Sequence, residues 1–390
     1  MKLLIVSFPC VTPINQQFYA QVETLSEWDV TLVAPGNWKS EYGHVQPLKR
    51  WPEFQGRLLP IPVFLSGNIP LHTYRSLFLR LLREEAPDAI YVHSEPYSVS
   101  AAQVYLANWM SKRVPIGFYS AQNIHKHYPP PFRWSEQFVY RTSSFCFPVT
   151  QDVLDVMTAK GFSGEATILP LGIDPEVYTP AADDTPLRAE LGADDQTVLL
   201  GYLGRLVEEK GLATLLDALA RVPHLPWRLA VIGSGDYAEA FDAKAEQLGM
   251  TNRIERVGYV AHPEAPRYLS AFDALVLPSE TRPQWKEQFG RVVIEALACG
   301  TAVIGSDSGE IPRLIEATEG GLVFPEGDAD ALATTIEQFI LSPSLRDAAV
   351  QRGRTHVLAH YTLSSLADRF VRTIENQIST RRSAAPASMS

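Results

Sequence analysis

At 390 residues and 46% hydrophobic content, the chain is long enough for two or three domains with full cores. A formal net charge of −10 disfavours general nucleic-acid binding, and the three scattered cysteines, Cys10, Cys146 and Cys299, fit neither a disulfide framework nor a metal-ligand spacing. No stretch approaches the roughly 18–20 apolar residues of a spanning helix, and the apolar run in MKLLIVSF is too short for a signal peptide, so a soluble, cytoplasmic protein is expected.

In chain order, short apolar runs alternate with helical patterns. Strands are expected at KLLIVSF, VTLVAP, AIYVHS, PIGFYS and FCFPVT, then at VLLGYLG, WRLAVIG, ALVLPS, TAVIGSD and GLVF. Helices are expected at TYRSLFLRLLREEA, YSVSAAQVYLANWMSK, LATLLDALARV, YAEAFDAKAEQLG and FGRVVIEALACG. This alternation predicts βαβ units and parallel sheets, and the number of strands suits two sheets better than one. The Pro-, Asp- and Ala-rich stretch 168–196 reads as linker. The expected division is an α/β domain over 1–172, a second over 173–362, a final helix over 363–380 and a disordered tail over 381–390. Two doubly wound domains facing each other would bring the carboxyl ends of both sheets to a shared cleft, where ligands of such sheets bind. Between Lys39 and Arg83 the cations Lys39, Lys49, Arg50, Arg57, Arg75, Arg80 and Arg83 stand against only Glu41 and Glu53. The segment YRSLFLRLLR sets leucines against arginines, which fits either a membrane-surface helix or a core-facing helix with a solvated stripe.

Three stretches carry chemistry. In LLGYLGRLVEEKG a strand runs into a glycine loop with Arg205 and Lys210 around the turn, a pair able to hold a diphosphate by fork and point charge; the alternative is two surface cations balanced by Glu208 and Glu209. In KEQFGRVVIEALACG, Gly290 marks a helix start, so the amides of Phe289, Gly290, Arg291 and Val292 are available to an anion. Glu295, pointing back toward that start, suits two ribose hydroxyls, and Glu287 suits sugar hydroxyls beyond the phosphates. The alternative is a helix-start charge and an exposed helical residue. In VGYV, Gly258 and Tyr259 end a short strand and offer backbone and an aromatic face to a nucleobase. The ADD triplets at 182–184 and 193–195 read as solvated loop, so no metal site is expected. AVIGSGDYAEA holds G-x-G-x-x-A at Gly233, Gly235 and Ala238, the dinucleotide fingerprint, but after the second strand of its domain rather than the first.

Taken together and in this order, these pieces resemble the retaining family-4 glycosyltransferases of GT-B fold. GRLVEEKG resembles that family's GR-x4-KG segment, EQFGRVVIEALACGTAVIGSDSGEIPRLI its Glu-x7-Glu segment, VGYV its base-binding turn and ILPLGIDPEVYTP its interdomain connection, over most of residues 145–330. The resemblance implies Arg205 and Lys210 on the donor pyrophosphate, Glu287 on the donor sugar and Glu295 on the ribose. It also implies donor contacts over Gln288, Phe289, Gly290 and Arg291, and a final helix that crosses back to the first domain. The donor would be a UDP- or GDP-type sugar nucleotide consumed as substrate, with no cofactor. The first half departs from the pattern. The glycine-rich loop is replaced by SFPCVTPINQQFYAQ, leaving Gln16 and Gln17 as acceptor-positioning candidates, and in PIGFYSAQNIHKHYP the place of the usual strand-end histidine is taken by Tyr119 or by the AQN segment. Gln122 and Asn123 are the candidates to face the reacting sugar, with His93, Glu95 and His125 toward the acceptor. The expected reaction is retaining transfer to a carbohydrate, lipid-linked or small-molecule acceptor by front-face displacement, with peripheral membrane contact open. The rivals are a non-catalytic sugar-nucleotide or membrane-surface binding protein on the same fold and, behind it, an NAD-dependent dehydrogenase.

Overall fold

The computed structural model of the chain describes residues 1–39 and 44–384. The polypeptide forms two compact units, Met1–Pro170 together with the C-terminal segment from Leu363, and Leu171–Thr362.

The first unit is built on a parallel sheet. Its chain runs β1 (Lys2–Ser7), β2 (Asp29–Pro35), a small antiparallel hairpin of β3 (Asn37–Lys39) and β4 (Val45–Pro47), β5 (Arg57–Ile61), a second hairpin of β6 (Val63–Phe64) and β7 (Thr73–Tyr74), then β8 (Ala89–His93), β9 (Ile116–Ser120), β10 (Phe145–Pro148) and β11 (Glu165–Ala166). The seven-stranded order is β11-β10-β9-β8-β1-β2-β5. The inner strands are apolar on both faces: every residue of β1 after Lys2 is buried, as the covered faces of a parallel sheet require. Chain direction reverses between β1 and β8, which puts the switch point beside Ser7 and His93, paired in register. Ser98 and Thr150 start the next helices by accepting from the amides of Ala101 and Val153.

The C-terminal helix Leu363–Ala384 packs on this sheet. Leu366, Phe370, Ile374 and Ile378 recur every fourth residue and are buried with Tyr19, Tyr91, Phe145 and Phe147. Phe370 stacks on Phe147 at 4.8 Å between ring centroids. Each such side chain contributes roughly 1.5–3 kcal/mol of apolar burial. The helix continues to Ala384, four residues into the expected tail, and residues 385–390 lie outside the described residues.

The second unit carries β12 (Val198–Leu203), β13 (Trp227–Ile232), β14 (Ile254–Gly258), β15 (Ala274–Leu277), β16 (Ala302–Ser306) and β17 (Gly321–Phe324), all parallel, in the order β14-β13-β12-β15-β16-β17. Its switch point lies between the carboxyl ends of β12 and β15. Two local expectations need correction. The stretch read as linker contains a short helix, Thr185–Glu190, anchored by buried Leu187. The helix expected from Thr73 begins only at Phe78, because Thr73 and Tyr74 pair with Phe64 and Val63.

Candidate active site

At the switch point of the second sheet, the chain leaves β12 through Gly204 and Arg205 and makes a single 3-10 turn at Glu208–Lys210. Lys210 Nζ donates to Glu287 Oε2 at 2.5 Å, and Ser279 Oγ, just past β15, donates to the same oxygen at 3.1 Å. The two side chains of the ion pair are only 14% and 12% exposed, and the ammonium lies 4.9 Å from the centroid of the Trp285 ring. Residues 77 apart in sequence thus meet where open α/β sheets bind ligands. Arg205 stays at the surface, its guanidinium 3.9 Å from Glu209, while its carbonyl accepts from the buried Tyr202 hydroxyl at 2.6 Å.

Glycines fix this loop. Gly211 holds φ +64, and a Cβ there would stand 1.8 Å from the carbonyl oxygen of Pro278, the residue before Ser279. Gly309 holds φ +58, and its Cβ would stand 1.9 Å from the carbonyl oxygen of Glu287. The G-x-G of the dinucleotide-like motif has the same use. Cβ atoms on Gly233 and Gly235 would meet the carbonyl oxygens of Gly204 and Leu206 at 1.9 and 2.1 Å, and Leu206 N donates to Ser234 O. The two glycines of the motif thus let the loop that carries Arg205 pack directly on backbone.

Gly290, in the left-handed region, precedes the helix Arg291–Ala298. Glu295 is buried and its carboxylate does turn back toward the helix start, where Arg291 Nε lies 2.9 Å from Oε1. Tyr178 joins the same group: burial first, and then the charge of and hydrogen bond to Glu295, push its phenol up, and its hydroxyl lies 3.1 Å from His262 Nε2. Val293, Ile294, Ala296 and Leu297 form the buried side. Phe289, expected among donor contacts, is instead buried in the core near Tyr361; Gln288 beside it is exposed. The Gly258 carbonyl is used by Gly233 N at 2.7 Å, and Tyr259 is 79% exposed.

In the first unit, His93 ends β8 inside a box of Tyr19, Tyr91 and Tyr119. Its Nδ1 lies 2.9 Å from the Tyr19 hydroxyl and 3.3 Å from Ser7 Oγ, and burial pushes the imidazole down to about 4. A neutral ring that accepts at Nδ1 carries its proton on Nε2. Glu95, two residues on, accepts from Ser120 Oγ at 2.8 Å and from Ala121 N at 2.7 Å. Burial outweighs those bonds and Lys160 and raises its carboxyl from 4.5 to about 7. Because the folded state then holds a proton that the unfolded state releases, stability falls as pH rises from about 4.5 to about 7. Glu95→Gln should remove that fall: its melting temperature should match wild type near the lower bound and exceed it near the upper. Parallel melting curves across that window would refute the assignment.

Gln122 and Asn123 follow β9. Gln122 donates to Ile124 O at 3.1 Å, and Asn123 is buried. His125 is exposed and meets His127 edge-on. Gln17 opens the helix Gln17–Ser26. Gln16 requires correction: it is fully buried, Nε2 donates to the carbonyls of Cys10 and Lys49, and Oε1 accepts from Trp51 N. It braces two loops with both amide hydrogens spent, and its enclosed side chain is out of reach of an acceptor. The sequence reading also passed over Tyr178, His262, Ser279, Trp285 and Gly309. Only Ser279, at the end of an evident strand, gives a local signal.

Residues 183–356 match the family description "Glycosyl transferases group 1" and residues 20–177 match "Glycosyltransferase Family 4". The chain is 24% identical to the alpha-D-kanosaminyltransferase of Streptomyces kanamyceticus over 80% of this chain and 85% of that one. It is 29% identical to the GDP-mannose-dependent monoacylated alpha-(1-6)-phosphatidylinositol monomannoside mannosyltransferase of Corynebacterium glutamicum, over 54% of this chain and 56% of that one. The chain therefore spans about half the length of several curated relatives it matches, 53% in the case of LpsE from Rhizobium meliloti. Among solved structures, HepE of Anabaena in complex with UDP superposes with a TM-score of 0.75 at 17% identity, over 96% of this chain and all of that one.

Proposed function

Since the chain belongs to the family-4 glycosyltransferases of GT-B fold, we propose that it moves a sugar from a nucleotide-diphosphate-sugar donor to a carbohydrate, lipid-linked or small-molecule acceptor, with retention of configuration. The observation that carries this reading is the Lys210–Glu287–Ser279 cluster at the switch point of the second sheet. Lys210 and Arg205 supply fixed positive charge to the leaving diphosphate, together with the amides at Gly290 and Arg291, as preorganised electrostatic stabilisation. Glu287, held by Lys210 and Ser279, takes donor-sugar hydroxyls. Glu295, held by Arg291 and Tyr178, takes the ribose, and the exposed Tyr259 stacks with the base. In a front-face displacement the diphosphate oxygen accepts the acceptor proton as the new bond forms on the side the leaving group departs, so the protein supplies no nucleophile; Arg205, Lys210 and the helix amides meet the diphosphate charge in place of a metal. Gln122 and Asn123 address the reacting sugar, and His93, Glu95 and His125 the acceptor.

A UDP- or GDP-type donor is favoured, because HepE was solved with UDP and with UDP-glucose and the Corynebacterium relative is named as GDP-mannose-dependent. Thermal unfolding with UDP, GDP, ADP and NAD tests it. A ligand at about 100 times its dissociation constant adds roughly 2.7 kcal/mol, so UDP or GDP should raise the melting temperature by several degrees while NAD does not. Stabilisation by NAD alone would overturn the transferase reading.

A cytoplasmic location with peripheral membrane contact is a second reading. No helix among the described residues is long and apolar enough to cross a membrane. Phe64, Leu65 and Leu77 are exposed in the first unit, with Arg75 over the Phe64 ring and the exposed Arg80 nearby in sequence. Glu41, the acid among these cations, lies outside the described residues.

A further inference from the structure

A cavity of about 380 Å³ lies wholly within the first unit, beside the loop that leaves β9, and His125, Lys126, His127 and Arg133 line it together with Lys160 and Glu136. Glu136 is already spent, since it accepts from Lys160 Nζ with both side chains almost fully enclosed. Tyr128 covers that ammonium, its ring centroid 4.5 Å away. The buried pair is neutral as a unit and adds little net field. Lys126 and Arg133 have no carboxylate partner among the described residues. The cavity thus presents two uncompensated cations and two imidazoles 4.8 Å apart, in a chain whose net charge is −10.

A cationic hollow in an acidic protein concentrates anions, and arginine supplies the planar fork that matches phosphate oxygens. Size narrows the class. A water occupies about 30 Å³, so a bare phosphate leaves most of this volume unfilled, and the cavity falls in the range of small-molecule sites. The imidazoles, the Gln137 amide and the Tyr128 hydroxyl are hydrogen-bonding groups of the kind that pair with sugar hydroxyls. Tyr128 also donates to Gln122 at 3.5 Å, so the wall of the cavity is continuous with the loop carrying Gln122 and Asn123.

We propose that this cavity receives a phosphate-bearing sugar unit of the acceptor, with Arg133 and Lys126 on the phosphate and His125 and His127 on the sugar. The inference rests on the acceptor role assigned above to the first unit. Titration calorimetry on the full chain at low salt, with the 6-phosphates of glucose, mannose and galactose, the three parent sugars and inorganic phosphate, tests it. At least one hexose phosphate should bind about 10-fold or more tightly than its parent sugar and than inorganic phosphate, as hydrogen bonds to a charged group allow, and salt should weaken it. Lys126→Gln/Arg133→Gln should lose that preference. Arg113→Gln, which removes an exposed arginine outside the cavity, should keep it.

Several results would overturn the proposal: no hexose phosphate binding, parent sugar or inorganic phosphate binding as tightly, or an unchanged double variant. UDP and GDP titrated into the same samples read the donor side separately. Hexose-phosphate failure with nucleotide binding intact defeats this inference alone, whereas absence of nucleotide binding defeats the transferase reading.

Discussion

Lys210→Ala should lower kcat/KM by roughly 10²–10³-fold, the cost of deleting one preorganised charge from a developing anion, and should erase stabilisation by UDP or GDP. A second effect comes with it. Glu287 is only 12% exposed at its side chain, and it loses the ammonium that lies 2.5 Å from its Oε2. Breaking one side of an enclosed ion pair costs about 3–5 kcal/mol, and the partial exposure here favours the lower end. The variant should therefore melt earlier as well as turn over more slowly. Lys210→Met/Glu287→Gln separates the two consequences: with both charges of the ion pair removed, the melting temperature should recover most of the loss while activity stays at the single-variant level or below. Activity that recovers with stability would show that Lys210 serves the fold and not the donor.

Gly309→Ala should be nearly as damaging without touching a charged group. At φ +58 an alanine pays about 1–2 kcal/mol for left-handed backbone, and its Cβ would lie 1.9 Å from the Glu287 carbonyl oxygen and 2.8 Å from the carbonyl carbon. Backbone, not a flexible side-chain tip, has to move, and the part that moves carries Glu287. A displacement of about 1 Å at a reacting centre costs on the order of 10²-fold in rate. Gly327→Ala is the matched control, with φ +73 and nothing within 4 Å of the added carbon, so it should show only the small strain in its melting temperature and wild-type kinetics. Equal kinetics for the two variants would mean that the Gly309 contact does not position Glu287.

The same contrast explains what the chain discloses before it folds. Runs such as KLLIVSF and TAVIGSD are apolar enough to be strands wherever they lie, and their spacing with helical patterns specifies parallel sheets. β5 goes unread because RLLPI is half-exposed at the sheet edge and contains a proline, which only an edge accommodates. The expected helix start at Thr73 fails because two residues prefer a hairpin that pattern alone does not reveal. Lys210 and Glu287 are visible as chemistry, each beside a glycine loop. The groups that support the site are mostly not, because Tyr178 and Gly309 act through contacts far along the chain and have no periodicity; Ser279 alone stands at the end of a legible strand. Gln16 misleads for a physical reason: a buried glutamine bridging two loops looks, in sequence, like an exposed polar residue.

The C-terminal helix gives unit one a discontinuous chain, and this orders events during synthesis. The second unit is a single stretch, Leu171–Thr362, able to complete its core as soon as it emerges from the ribosome. The first unit is translated earlier but finishes later, because Tyr19, Tyr91 and Phe147 stay uncovered until Phe370 and Ile374 arrive. The half that is born first thus waits, with an aromatic face open to chaperones and to aggregation, for the last segment of the described chain.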